Sequence, residues 1–206
     1  MINILQDRFS LYENFEVINE DILKIDLKKI IEDNKNENIK NVKIVANLPY
    51  YITTPIIMKL LEDRLEIESI TVMIQKEVAE RLTAIPGEKF TGSITYSINY
   101  YSEPSMVFDV PNTSFIPEPE VTSTVIKLDI LKKPRIEVKD EKILFKIIKV
   151  AFMQKRKTLL NAFVNNNIFE TKEEAETCFK ELGLDLKVRG EKLSLQEFAR
   201  ISDYIS

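Results

Sequence analysis

Apolar positions along this chain of 206 residues follow two rhythms, and the rhythm changes near residue 132. Before that point, short β-branched runs predict buried strands over residues 15–19, 42–47, 68–75, 105–110 and 121–128. Helical spacing predicts helices over residues 1–12, 27–33 and 76–82. A further helix carries Ile56, Ile57, Leu60 and Leu61, with Thr53 or Thr54 as its cap and Pro55 in its opening turn. Residues 93–101 are ambiguous, because Ile94, Tyr96, Ile98 and Tyr100 alternate as they would in a strand. Polar residues 34–41 and the Pro86-Gly87 turn read as loops. Lys132-Lys133-Pro134-Arg135 reads as a linker. Beyond it, helices are expected over 141–152, 158–165, 172–182 and 194–205, with Thr171 and Ser194 as caps and Gly183 as a stop. The pattern therefore predicts an α/β unit over residues 1–131 and a small all-helical unit over 135–206.

The most informative turn follows the second of these strands. Pro49 cannot donate to a ladder, so the strand ends near Asn47 and delivers Asn47-Leu48-Pro49-Tyr50 to a sheet edge, where open α/β sheets bind ligands. The Asn47 side chain and the Leu48 or Pro49 carbonyl can each accept a hydrogen bond, and Tyr50 offers a flat π-face. Such a set suits a flipped-out nucleobase with an exocyclic amine: two acceptors grip the amine hydrogens while the ring stacks. The plainer reading is a surface turn with a core-packed tyrosine.

Composition narrows the chemistry. There is no histidine and one cysteine, which removes histidine acid/base catalysis, Ser-His-Asp triads, disulfides and Cys/His metal sites. Cys178 shares helical spacing with Ala175, Phe179 and Leu182, so it is expected in the core. No apolar run reaches membrane-spanning length, and a cytoplasmic location is expected. The net charge of −4 hides an asymmetry: 13 Lys+Arg stand against 21 Asp+Glu up to Leu131, but 16 against 12 beyond it. No acidic residue occurs between Lys142 and Phe169. Within that stretch Lys142, Lys146 and Lys149 share a helix face that leads into Lys155-Arg156-Lys157, a candidate phosphate-contacting surface.

Three ordered segments carry a family resemblance. Residues 47–56, NLPYYITTPI, resemble the amino-methyltransferase motif in its form from the rRNA adenine N6,N6-dimethyltransferases of the KsgA type. Residues 114–123, SFIPEPEVTS, are similar to that family's Phe-x-Pro-x-Pro-x-Val-x-Ser segment, and residues 151–161, AFMQKRKTLLN, to its Phe-x-Gln-Arg-Arg-Lys-Thr-Leu. The resemblance implies a partial Rossmann-like class I methyltransferase sheet, S-adenosylmethionine as cofactor, and small-subunit rRNA as partner, with two adjacent adenines dimethylated. It makes residues 93–101 helical. It implies that Asn47, Leu48, Pro49, Tyr50 and Phe115 form the target-base pocket, with Phe115 as ordinary core the alternative. Asp21, Ile22 and Asn47 are implied at the cofactor, although Asp21 alone reads as a turn or cap. Lys142, Lys146, Lys149, Lys155, Arg156 and Lys157 are implied to dock rRNA, and Arg81 is left open between a structural role and an RNA contact.

One part of the pattern is missing. All four glycines lie at Gly87 or later, so the glycine-rich turn of a cofactor site has no counterpart. The N-terminal part of that site is therefore expected to be lacking and the chain as given to bind cofactor poorly. The strand over residues 42–47 is left with a bare edge, to be covered by the 15–19 strand or by self-association. A non-catalytic ribosome-assembly module and a large-subunit rRNA methyltransferase are the alternatives.

Overall fold

The computed structural model describes residues 2–37, 39 and 41–206. Nine helices and four strands are found among them: α1 (Ile2–Phe9), α2 (Leu27–Asn34), β1 (Lys43–Asn47), α3 (Thr53–Glu62), β2 (Ser69–Gln75), α4 (Lys76–Leu82), α5 (Ser93–Tyr101), β3 (Ser102–Val110), β4 (Ser123–Ile130), α6 (Glu141–Met153), α7 (Leu159–Asn165), α8 (Lys172–Glu181) and α9 (Leu195–Ile205). The expected polar loop 34–41 contains Asn38 and Lys40, and the expected first helix begins at Met1; those three positions lie outside the described residues.

The sheet runs β1-β2-β4-β3. β1 and β2 are parallel, and β4 is antiparallel to both of its neighbours. Ile70, Val72 and Ile74 of β2 and Ile126 and Leu128 of β4 form one core with Ile56, Ile57, Leu60 and Leu61 of α3, Ala79 and Leu82 of α4, and Ile94 and Ile98 of α5. A second core gathers α6 to α9 around Leu144, Ile147, Phe163, Phe179 and Phe198, and it takes Tyr96 and Tyr100 from α5. So α5 is buried on two sides. Ile94 and Ile98 form one i,i+4 stripe, Tyr96 and Tyr100 another, and the two interleave into the alternation that imitates a strand.

The joint between the cores is tight. The Tyr96 hydroxyl donates to the Leu193 carbonyl at 2.6 Å. A Cβ on Gly190 would lie 2.6 Å from that of Ala151, so the turn at Gly190 approaches α6 as closely as a missing side chain permits. The 132–135 segment is tacked down: Arg135 donates from Nε to the Asn99 carbonyl at 2.8 Å and from Nη2 to that of Ser102 at 3.0 Å, and it pairs with Glu103. Arg64 holds both oxygens of Glu141 at the start of α6, and the Tyr100 hydroxyl donates to the same carboxylate at 2.9 Å. Burial alone would push the Glu141 carboxyl up; the hydrogen bonds from Arg64 and Tyr100 outweigh it, and the net shift is downward. Burial and the neighbouring Glu141 charge push the Tyr101 phenol up to about 12.

The caps at Thr171 and Ser194 form as expected, each in a reciprocal pair with a glutamate three residues on, and Gly183 ends α8 at φ +71°. Cys178 is buried, and that burial raises its thiol to about 11.

Three expectations fail. Residues 15–19 form no strand: Phe15 packs in a tilted arrangement on Phe9 with centroids 4.3 Å apart, and Ile18 is 43% exposed. A β-branched run without a partner to complete its ladder has nothing to fix it as a strand. β1 therefore stays at the sheet's edge, with Val45 79% exposed, and the 15–19 segment does not pair with it. Neither threonine caps α3, because the Thr53 hydroxyl turns back to the Pro49 carbonyl at 3.2 Å and Ile52 occupies the cap position.

Candidate active site

The register fixes which loops meet. Asn47 is opposite Met73, Gln75 is opposite Ser123, and Ser123 is opposite Val110. The carboxyl ends of β1, β2 and β3 and the start of β4 thus share one edge of the sheet. The loop after Asn47 and the loop 111–122 that holds Phe115 both lie there. The Lys76 N–H donates to the Thr122 carbonyl at 3.0 Å, which ties the second loop to the end of β2.

Within the first loop, roles divide by hydrogen bonding. The Leu48 side chain is buried and its N–H donates to the Met73 carbonyl at 3.4 Å, extending the ladder one residue past β1. The Pro49 carbonyl accepts from the Ile52 N–H at 3.1 Å and from the Thr53 hydroxyl, so both of its lone pairs are engaged. Among the described residues the Leu48 carbonyl and the exposed Asn47 amide have no partner. The acceptors left open at this edge are therefore Asn47 and Leu48, not Pro49.

Tyr50 begins a short 3₁₀ turn, Tyr50–Ile52. Its ring is half-buried, and its hydroxyl lies 2.7 Å from the Ser123 hydroxyl on the fully buried first residue of β4. This tether links the two loops, and it was not read from the sequence. Ser123 stands as the last residue of the 114–123 segment, so its place in the motif was visible while its partner, 73 positions away, was not. Phe115 is half-buried, and its N–H closes a turn onto the Asn112 carbonyl at 3.1 Å. Its ring makes no ring contact with that of Tyr50 among the described residues. Beside them Lys76 pairs with Asp109 at 2.6 Å, and the Thr124 hydroxyl donates to the same carboxylate at 2.6 Å. Those two hydrogen bonds hold the Asp109 carboxyl below its usual range.

Asp21 and Ile22 are not joined to this edge by any hydrogen bond among the described residues. Asp21 forms a turn, its Oδ1 accepting from the Leu23 N–H at 3.0 Å, while its Oδ2 faces only Lys24 at 3.9 Å. Ile22 packs against the sheet-side core.

The basic residues lie on the other core. Lys142, Lys146 and Lys149 are exposed on α6, and Lys155, Arg156 and Lys157 are exposed in the turn after it. None of the six forms an ion pair among the described residues, in contrast to Lys172 and Lys180 of α8, which both pair with Glu176. Unpaired cations leave a positive field for phosphate. Lys155 sits 5.5 Å over the Phe152 ring. The Arg81 stem packs toward Gly92, and its carbonyl accepts from the Thr95 hydroxyl at 2.6 Å. Arg81 Nε and Gln154 Oε1 are both buried without a partner.

Comparison with known proteins bears on this geometry. The family described as "Ribosomal RNA adenine dimethylase" matches residues 1–206. The chain is 44% identical over 206 residues to "Ribosomal RNA small subunit methyltransferase A" of Alkaliphilus oremlandii, covering 100% of this chain and 71% of the relative. It is 46% identical over 205 residues to the protein of the same description in Clostridium botulinum, covering 100% and 72%. The chain therefore spans about seven tenths of these relatives' length. In fold it is similar to a dimethyladenosine transferase from Plasmodium falciparum, with a TM-score of 0.77 at 24% identity over 97% of this chain and 76% of that one. It is also similar to the 23S rRNA methyltransferase ErmE, with a TM-score of 0.66 at 19% identity over 98% and 77%. These two show the class I methyltransferase fold.

Proposed function

Because the chain belongs to the ribosomal RNA adenine dimethylase family, we propose that it transfers methyl groups from S-adenosylmethionine to N6 of adenines in small-subunit rRNA. The observation that carries this reading is the pair of open acceptors, the Asn47 amide and the Leu48 carbonyl, next in sequence to a tyrosine whose ring is tethered through Ser123. Adenine's amine is a poor nucleophile because its lone pair is delocalised into the ring. Two acceptors on its hydrogens favour a pyramidal nitrogen, and Tyr50, with Phe115 across the edge, holds the base in line. No strong general base is required for this step, because the nitrogen becomes cationic and acidic once the N–C bond has formed and the S–C bond has broken, and its proton passes to water.

When bound, S-adenosylmethionine supplies an electrophilic methyl. Of the residues expected at it, Asp21 has an oxygen, Oδ2, held only by a 3.9 Å ion pair to Lys24 that an amine could replace, Ile22 offers an apolar wall, and the Asn47 amide is free. The first glycine is Gly87, so a glycine-lined approach is not among the contacts proposed. Lys142, Lys146, Lys149, Lys155, Arg156 and Lys157, in the helical unit from residue 135 onward, dock the rRNA during ribosome biogenesis in the cytoplasm. Self-association through the open β1 edge is part of the same proposal, and a monodisperse monomer in solution scattering would remove it.

The test is methyl incorporation into undermethylated small subunits by the full-length protein. Asn47→Ala is expected to lower transfer by roughly 100-fold while RNA binding persists. A wild-type protein that binds subunits and transfers no methyl would instead support a non-catalytic assembly module. Replacing Lys155, Arg156 and Lys157 with glutamine is expected to weaken RNA binding and flatten its dependence on log salt by about 2 to 3; an unchanged slope would remove the turn from the interface.

A further inference from the structure

Each of the two loops at the sheet edge presents consecutive large side chains that differ in burial. In the first, Tyr50 is half-buried and tethered while Tyr51 is 87% exposed; in the second, Phe115 is half-buried while Ile116 is fully exposed. The cause in the first loop is geometric. Successive residues of a 3₁₀ turn project about 120° apart, so with Tyr50 directed to Ser123 the next ring must leave in another direction. The Tyr51 ring has no hydrogen bond and no ring or cation partner among the described residues, so it contributes nothing visible to the fold. A single exposed tyrosine is ordinary on a protein surface. This one stands four residues from the free Asn47 amide, at the lip of the same edge.

A base taken out of its stack uncovers a face of the nucleotide beside it, and proteins that hold single-stranded RNA commonly cover such faces with aromatic rings. We infer that Tyr51 stacks on the nucleobase flanking the target adenine and so positions the splayed strand. The inference rests on the function proposed above. Tyr50 receives the base that reacts, and Tyr51 replaces the neighbour that base has left. Ile116, equally exposed on the facing loop, supplies an apolar contact on the far side of the strand.

The experiment uses the full-length protein and an RNA hairpin with two adjacent loop adenines, keeping adenine at the target position, because 2-aminopurine lacks the N6 amine that Asn47 and Leu48 would grip, and carrying 2-aminopurine at the flanking one. Wild type is expected to methylate the target adenine and to keep the flanking probe quenched. Tyr51→Ala should brighten the flanking probe and raise KM roughly 5- to 100-fold, with kcat changed little, whereas Tyr51→Phe should behave as wild type. Because the side chain is so exposed, Tyr51→Ala should melt with the wild type, which separates loss of stacking from loss of fold. If the wild type methylates the target adenine and Tyr51→Ala leaves both KM and the flanking signal unchanged, this inference fails and the methyltransferase reading stands. If the wild type transfers no methyl to undermethylated small subunits, the proposed function fails and takes the inference with it.

Discussion

The hydroxyl pair of Tyr50 and Ser123 is the most economical place to test whether the two loops act together. The bond is 2.7 Å long and joins a half-buried ring to a fully buried serine, and the Ser123 hydroxyl has no other partner among the described residues. A neutral hydrogen bond of this kind contributes about 0.5–1.5 kcal/mol net, and removing one partner leaves the other unsatisfied at about 1–3 kcal/mol. Ser123→Ala and Tyr50→Phe should therefore each destabilise the protein by about 1 kcal/mol or more. The double variant, which strands no buried hydroxyl, should cost no more than either single. The coupling is then about 1 kcal/mol, well outside the few tenths by which independent sites depart from additivity. Urea unfolding of the four proteins measures it without reference to activity. If the tether also orients the ring for stacking, the same coupling recurs in methyl transfer, as a factor of roughly 5 in kcat/KM by which the double exceeds the product of the singles. Additive effects in urea would mean that the bond does not form. Coupling in urea with additive effects on kcat/KM would mean that it holds the fold but not the reacting base.

Two further predictions concern the joint between the cores. Gly190→Ala places a Cβ 2.6 Å from that of Ala151, more than 1 Å inside carbon–carbon contact, without requiring a positive φ; the expected cost is about 1–3 kcal/mol, or roughly 2–10 °C in Tm. The same change at Gly183, where nothing lies within 4 Å but φ is +71°, isolates backbone strain, and equal losses at the two sites would refute the packing argument. Glu141 has a lowered pKa in the folded protein, so the stability it adds is present above the ordinary carboxylate range and is lost as pH falls through the folded value. Arg64 and Glu141 are 48% and 34% exposed, so screening limits the gap between wild type and Glu141→Gln to about 1 kcal/mol at pH 7. That gap should narrow as pH falls through the ordinary carboxylate range and close below the folded value in acid titrations followed by circular dichroism, and a gap that stays constant throughout that fall would refute the linkage.

How far the sequence could be read depended on whether the information was local. β1 and its Pro49 stop, the capped helices α8 and α9, and the buried Cys178 each follow from neighbouring residues, and each came out as expected. The helix α5 did not, because its two stripes serve two cores; period analysis assumes one buried face, and only the resemblance to a family favoured helix there. Residues 15–19 fail for the complementary reason. Their side chains suit a strand, but a strand is a property of a pair, and nothing in a single run says whether the partner exists. The candidate site divides along the same line. Asn47, Leu48 and Tyr50 were legible as residue types on a turn, yet which carbonyl stays open was decided by the Thr53 hydroxyl, and which way the ring points by Ser123 on another strand. A motif states which groups are present, and long-range hydrogen bonds decide which of them are free. For this protein that distinction leaves the Leu48 carbonyl open and the Pro49 carbonyl engaged, where the sequence allowed either. It also makes Ser123, rather than a further residue of the 47–50 turn, the position whose loss should most resemble a defect in Tyr50 itself.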